Sequence, residues 1–196
     1  SMCSYYLSRP ENESYFTSFK KKLATLGFSA IDANFINDLK IEQIGKSTML
    51  TQSNANCEKA WFICEGAIRS FFLVDGRELT SEFIFSEQFL LPVCFNGLGN
   101  SMRIQAIKNS VFISIPINLF VEHGLESLLL KLLMYKYKQS CIQNIILSAP
   151  SAEERISLLH KHFPIAFSKC SQRHLSTFIA VSEETYSRNK SKARNS

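Results

Sequence analysis

The sequence has few features of a membrane protein, a disulfide-stabilised domain or a metal enzyme. Its longest apolar run, residues 125–133, contains Glu126 and Lys131 and is far too short to cross a bilayer. No leader of charged, then apolar, then small residues opens the sequence. We therefore expect neither a membrane partner nor export.

Cysteine and histidine are too scattered to form a metal centre. The six cysteines, at 3, 57, 64, 94, 141 and 170, include no CxxC pair, and the four histidines, at 123, 160, 162 and 174, lie outside the predicted strands. A metal enzyme on a jelly roll needs two or three His and a carboxylate that converge from strands. We expect no metal, no catalytic residue and no enzyme activity, and the isolated thiols are typical of the reducing cytoplasm.

The composition otherwise indicates a globular chain whose basic residues are concentrated at one end. Hydrophobic residues make up 45% of the 196 positions, and 16 Phe against one Trp suggest β structure or a pocket lined with rings. Residues 1–150 carry 14 Lys and Arg against 13 Asp and Glu, whereas residues 151–196 carry 8 against 4. This distribution is typical of a near-neutral sensor followed by a nucleic-acid-binding module.

Apolar spacing predicts helix over residues 12–40, strands over 41–117 and helix again from 125. Four strand-like runs, at 60–64, 67–74, 78–85 and 111–116, are rich in aromatic and β-branched residues. Asp75-Gly76 between two of them is typical of a tight hairpin turn. We expect an α+β protein with an N-terminal antiparallel β-roll, resembling a jelly roll, and flanking helices.

The helix predicted from Leu125 carries apolar residues at alternating spacings of three and four, which is the pattern of a two-stranded coiled coil. This pattern favours a homodimer. The alternative is that the stripe packs against its own domain, because Leu129, Leu130 and Leu133 widen it. The predicted seam consists of Leu125, Leu128, Leu132, Tyr135, Gln139, Ile142 and Ile146.

The last 46 residues predict a helix-turn-helix. Ser151 and Glu154 form a capping-box pattern at the start of one helix, and two shorter helices follow, the last with Ser182 as its N-cap. Ala180 lies at the turn, where glycine would fit better because a positive φ costs alanine about 1 kcal/mol. The alternative is a solvated C-terminal helix with a basic fringe.

The side chains of the last helix are suited to reading bases. Glu184 can accept a hydrogen bond from a cytosine amino group, and Arg188 can donate to guanine O6 and N7. Other polar and basic residues are suited to the DNA backbone. They are Gln172, Arg173, Ser182, Thr185, Lys190 and Lys192.

A β-roll, a long helix and a terminal helix-turn-helix, in this order, resemble the Crp/Fnr family of transcription regulators. The residues that carry the resemblance are Trp61-Phe-Ile-Cys-Glu-Gly66-Ala-Ile-Arg69, Asp75-Gly76-Arg-Glu78-Leu-Thr80, Ile104-Gln-Ala106, Ser151-Ala-Glu-Glu-Arg155 and Ser182-Glu-Glu-Thr-Tyr-Ser-Arg188. The resemblance implies a homodimer on a two-fold-symmetric operator of double-stranded DNA. Glu184, Ser187 and Arg188 would read bases, and RNA polymerase is a further candidate partner.

The same resemblance indicates that cyclic AMP is not the effector. The arginine that holds the cyclic phosphate in the family falls on Asn100, followed by Ser101, and the glutamate that holds the ribose is missing from residues 89–92. A buried phosphate without its guanidinium would be poorly paired. Arg69 and Arg103 could supply a cation to another ligand, although a solvated strand face is the favoured interpretation for both. The candidate effector pocket is Arg69, Phe83, Leu91, Asn100, Ser101 and Arg103.

These observations divide the chain into three predicted parts. Residues 1–124 form the N-terminal helices and sensor-like roll, residues 125–148 the dimerisation helix, and residues 149–196 a winged-helix-like DNA-binding domain. The predicted function is a sequence-specific regulator without a cofactor. The alternative is a ligand-binding or protein-interaction module that does not read DNA.

Overall fold

The computed structural model describes residues 9–51, 58–91 and 102–193, with side chains over 12–50, 58–91 and 102–191. Along the chain, helices precede and follow the strands of two small sheets. The elements are α1 (Arg9–Thr25), α2 (Ala33–Asn37), β1 (Lys40–Ile44), β2 (Met49–Thr51), β3 (Lys59–Glu65), β4 (Ala67–Val74), β5 (Arg77–Phe85), β6 (Phe89–Leu90), β7 (Arg103–Ala106), β8 (Ser110–Pro116), α3 (Ile117–Glu122), α4 (Glu126–Ser148), α5 (Ala152–His162), α6 (Pro164–Lys169), α7 (Gln172–Phe178) and α8 (Glu183–Ala193).

The strands form two four-stranded sheets, in the orders β1-β8-β3-β6 and β2-β7-β4-β5. In the first sheet β8 is central and pairs antiparallel with β1 and β3, so that Ile113 lies opposite Ile41 and Phe62. Both faces of β3 and β8 are buried, which explains why these runs are continuously apolar rather than alternating. The predicted α+β class with an antiparallel roll is confirmed.

Two glycine-containing turns shape the roll. Asp75 and Gly76 both have positive φ, 50° and 76°, as the tight turn between β4 and β5 requires. At Gly66, between β3 and β4, φ is 96° and a Cβ atom would lie 2.3 Å from Ser110 Oγ and 2.4 Å from Asn109 O. No larger residue fits there without moving the neighbouring backbone, so the β3–β4 turn depends on this glycine.

Phenylalanines fill the N-terminal core. The ring centroid of Phe62 lies 5.0 Å from that of Phe19 and 5.0 Å from that of Phe89. The ring centroids of Phe35 and Phe19 are 6.5 Å apart. Fully buried aromatic pairs contribute about 0.5–1.5 kcal/mol beyond the area they bury. The described part of the phenylalanine surplus therefore serves largely as packing material.

The chain forms two compact units. One comprises residues 1–70 and 84–133, and the other joins Phe71–Phe83, the outer part of the β4–β5 hairpin, to Met134–Ser196. Residues 117–193 contain helices and no strand, so the predicted wing is not among the described residues; α6 connects α5 to α7 instead. Within the described ranges, no helix is long and apolar enough to span a bilayer.

Candidate nucleic-acid interface

The predicted helix-turn-helix is formed by α7 and α8. Ser171 Oγ accepts a hydrogen bond from His174 N at 3.2 Å, and Ser182 Oγ accepts one from Thr185 N at 3.0 Å, so both helices begin at side-chain caps. Leu175 and Tyr186 are buried, one from each helix. The caps fix where each helix starts, and the apolar residues fix how the two helices pack.

The turn between these helices contains the strained alanine that the sequence predicts. Ala180 has φ 54°, in the left-handed region, while the next residue, Val181, donates its N–H to Ser176 O at 3.1 Å. We expect Ala180→Gly to raise the free energy of unfolding by up to about 1 kcal/mol, because glycine adopts this φ without a Cβ clash. Thermal or urea unfolding measures the effect, with Ala152→Gly in α5 as a control that should destabilise. Loss of stability in Ala180→Gly would contradict the strained turn.

Arg155 on α5 holds the turn between α7 and α8 through hydrogen bonds to its backbone, a role that the sequence did not predict. Its Nη1 donates to Ile179 O at 3.1 Å and to Ala180 O at 3.3 Å, while its Nε donates to Ala149 O at 3.0 Å. These carbonyls follow the last turns of α7 and α4, where helices leave their acceptors unpaired. The only signal in the sequence was an arginine within the capping-box motif, and that does not reveal its targets.

One face of α8 is anchored and the opposite face is open. Tyr186 is buried, whereas Glu184, Ser187 and Arg188 are exposed, as residues three and four apart on one helical face should be. Arg188 Nη1 lies 3.7 Å from Glu184 Oε1, and the two side chains are 67% and 79% exposed. An exposed pair of this kind contributes little to stability, so both groups can exchange this contact for a base edge. The structure brings the three predicted base-reading residues together.

The predicted backbone contacts divide into four groups. Ser182 and Thr185 are engaged with each other, since Ser182 Oγ also donates to Thr185 Oγ1 at 2.8 Å; Thr185 therefore keeps its own hydroxyl proton for another acceptor. Lys190 Nζ donates to Gln172 Oε1, and this bond links the start of α7 to the last turns of α8. Arg173 is exposed. Lys192 lies in α8, but its side chain is outside the described residues.

The candidate effector residues that the structure describes have different surroundings. Arg69 is only 1% exposed, and its Nε donates to Gln105 Oε1 at 2.8 Å, so the favoured interpretation of a solvated Arg69 is wrong. Leu91 belongs to the hydrophobic core, and the Phe83 ring packs 5.3 Å from the Phe178 ring of α7. Arg103 is half-buried on β7, and Asn100 and Ser101 lie outside the described residues.

The cysteines that are described are free thiols. Burial raises the pKa of Cys64 to about 12, so this thiol stays protonated and unreactive. Cys141 and Cys170 are half-buried. Among the described residues, no three His, Cys, Asp or Glu side chains are grouped to hold a metal ion.

Four of the seven predicted seam residues are buried within their own chain. Leu125, Leu128 and Leu132 belong to the N-terminal core, and Ile146 is fully buried. The burial of these four side chains favours the intramolecular alternative for their part of the stripe. Tyr135 is exposed, and Gln139 and Ile142 are half-buried.

The opposite face of α4 is apolar and exposed, and we call it the outer stripe. Its positions recur at spacings of four, three and four, as in a coiled-coil seam, and Ile145 and Leu133 flank it. Exposed fractions are 58% for Leu130, 65% for Met134 and 74% for Tyr137. The outer stripe is Leu130, Met134, Tyr137 and Cys141.

Comparison with known proteins identifies the fold. No protein-family model matches the chain, and no curated protein sequence is significantly similar to it. Among solved structures, a cyclic nucleotide-binding domain containing protein from Listeria monocytogenes EGD-e is similar over 92% of this chain and 91% of its own, with 11% identity and a TM-score of 0.68.

Two further solved structures are also similar. FixK2 from Bradyrhizobium japonicum matches over 80% of this chain and 85% of its own, with 16% identity and a TM-score of 0.67. A candidate transcriptional regulator of the Crp/Fnr family from Eubacterium rectale matches over 82% and 81%, with 15% identity and a TM-score of 0.64. The chain therefore has the fold that Crp/Fnr regulators share.

Proposed function

We propose that this chain, which has the fold of the Crp/Fnr transcription regulators, is a sequence-specific DNA-binding regulator that acts as a homodimer. The observation that supports the proposal most directly is the open face of α8. Glu184, Ser187 and Arg188 lie exposed on it, while Tyr186 and the Arg155 contacts hold the helix and its turn. Short polar and charged side chains on an anchored helix are what major-groove reading requires.

The charge of the C-terminal module supports the same proposal. Residues 151–196 have an excess of four basic over acidic residues, whereas residues 1–150 have an excess of one. Arg173, Lys190 and Lys192 lie on or beside the two helices that would contact DNA. Cations in these positions neutralise phosphates and release counterions, which gives affinity that does not depend on sequence.

The dimer that we propose forms through the outer stripe of α4. In a parallel pair of α4 helices the stripe is self-complementary, because each residue on a two-fold axis faces its own copy. Cys141 would then lie opposite the second Cys141. This arrangement places two α8 helices in one particle, as a symmetric operator requires.

A salt titration separates this function from that of an interaction module which does not read DNA. If Arg173, Lys190 and Lys192 of both protomers each neutralise one phosphate, the slope of log K against log salt concentration should be about −5. Fluorescence anisotropy with a random-sequence duplex between 50 and 300 mM salt measures it. A flat profile, or no binding at low salt, would favour the interaction module, whose acidic Glu183 and Glu184 would then repel phosphates.

We also propose that cyclic AMP is not the effector, on the basis of Asn100 in place of the family's arginine. A ligand that binds only the folded protein raises its melting temperature, by an amount that grows with its concentration. We expect no shift of the melting temperature with cyclic AMP at 1 mM, about the concentration at which even a weak millimolar site would be half filled. A reproducible rise would show that the site is intact.

A further inference from the structure

Strand β5 is attached to the first helix of the helix-turn-helix within one compact unit. The hydroxyls of Thr80 on β5 and Thr177 on α7 lie 2.7 Å apart. Because Thr177 donates its own proton to His174 O at 2.7 Å, Thr80 is the donor of the pair. The rings of Phe83 and Phe178 pack with centroids 5.3 Å apart along the same two elements.

A single side chain of α4 ties these two elements to a third. Gln143 Nε2 donates to Thr80 O at 3.0 Å and to Phe178 O at 3.1 Å, so one amide group holds both β5 and the end of α7. Thr80 is 2% and Phe178 3% exposed. Hydrogen bonds sheltered from water in this way are costly to break, because the freed carbonyls cannot be rehydrated without opening the contact.

Two turns earlier on α4, a second contact attaches the same strand. Lys136 Nζ forms an ion pair with the carboxylate of Glu82 on β5, and both side chains are mostly buried. Burial lowers the pKa of Lys136 to about 7, since removal of water penalises the charged ammonium. Strand β5 is therefore attached to α4 at two points, Lys136 and Gln143, which lie two helical turns apart.

The end of α7 leads directly into the reading helix. Phe178, whose carbonyl Gln143 binds, is followed by Ile179 and Ala180, whose carbonyls Arg155 binds, and then by the cap of α8. A shift of β5 therefore reaches the turn through one hydrogen-bonded residue. In the other direction, β4 and β5 continue along the chain into the roll.

We propose that Thr80, Gln143, Thr177 and Phe178 form a clamp through which the β4–β5 hairpin holds the reading helix α8 in its DNA-binding position. The clamp joins the hairpin, whose two strands continue along the chain into the other compact unit, to the first helix of the helix-turn-helix. Gln143 is a positioning residue, since it binds two backbone carbonyls and lies on none of the predicted DNA-contacting surfaces. The link to DNA rests on the proposed function, but the mechanical coupling does not.

Hydrogen exchange of the full-length protein without DNA tests the coupling. We expect Gln143→Ala to increase amide exchange at least about tenfold in both β5 and the segment from α7 to the start of α8. Asn144→Ala, at the exposed neighbouring position, is the matched control and should leave both segments unchanged. Unchanged exchange in either segment of Gln143→Ala would overturn the clamp, whatever the protein does with DNA.

A gentler variant keeps the test valid if Gln143→Ala does not fold. Thr80→Val removes the hydroxyl bond to Thr177 and keeps Gln143, and we expect it to raise exchange in the same two segments by a smaller factor. On a selected operator, both variants should bind about tenfold more weakly than Asn144→Ala. Faster exchange with unchanged operator affinity would overturn the positioning role, while a wild-type protein that binds no DNA would overturn the proposed function and leave the exchange result standing.

Discussion

Replacing Arg188 with alanine should weaken binding to a selected operator by about 1–3 kcal/mol per half-site, and the loss should be confined to one base pair of each half-site. The Arg188 side chain is 67% exposed, and its ion partner among the described residues is Glu184 on the same helix, so the guanidinium can exchange this contact for guanine O6 and N7. Stability should change by no more than about 0.5 kcal/mol, because the side chain is mostly exposed and its ion pair with Glu184 lies on the surface. Binding to a library of single-base operator variants measures the profile.

Arg173→Ala is the matched control for that experiment. Arg173 is exposed on α7 and is predicted to contact phosphates, so its loss should weaken binding to all operator variants by a similar factor and reduce the slope of the salt dependence. If Arg188→Ala gives the same uniform loss, Arg188 is a phosphate contact. If the Arg188→Ala variant keeps the wild-type base preference at every position of the operator, Arg188 does not read a base.

The local features of this fold could be predicted from the sequence because their causes are local. Asp75-Gly76 specifies a turn through its own backbone preferences, and Ser151 and Ser182 cap helices within three residues of themselves. The strained φ of Ala180 follows from the length of the turn alone. The open face of α8 follows from helical spacing around one buried tyrosine.

The contacts between distant segments could not be predicted. The hydrogen bonds of Arg155 with Ile179, of Gln143 with Phe178 and of Thr80 with Thr177 join residues that are 24 to 97 positions apart along the chain. No local sequence pattern identifies such partners. Arg69 shows the same limit, because an arginine on a strand is usually solvated and only the surrounding chain buries it. These long-range contacts include the ones on which the clamp depends.

Helix α4 shows why a pattern can be correct in period and wrong in direction. It carries apolar residues on two opposite faces, so a spacing of three and four fits both. Which face meets the core is decided by the roll and by α1, where Leu128 and Leu132 join Phe19 and Leu23 in one cluster. Once that face is occupied, the outer stripe is left as an exposed apolar surface of α4, and the proposed dimer rests on it.

Replacing Tyr137 with glutamate should therefore dissociate the dimer without unfolding the protomer. Tyr137 is 74% exposed in the single chain, so we expect the free energy of unfolding of the protomer to change by no more than about 0.5 kcal/mol. In the dimer, two carboxylates would face each other in an apolar seam, and the dimer dissociation constant should rise at least about 100-fold. Sedimentation equilibrium measures the constant, and operator affinity should fall with it, because one protomer contacts only one half-site.

Two further variants make the seam assignment decisive. Leu132 lies on the buried face of α4, so Leu132→Ala should lower the free energy of unfolding by about 2–5 kcal/mol. It introduces no charge into the outer stripe, so its effect on the dimer dissociation constant should be much smaller than that of Tyr137→Glu. Under mild oxidation by copper phenanthroline, the wild-type protein should form a covalent dimer through Cys141, and Cys141→Ser should not. A dimer that survives Tyr137→Glu, together with no Cys141-dependent cross-link, would place the two-fold axis on another face of the protein.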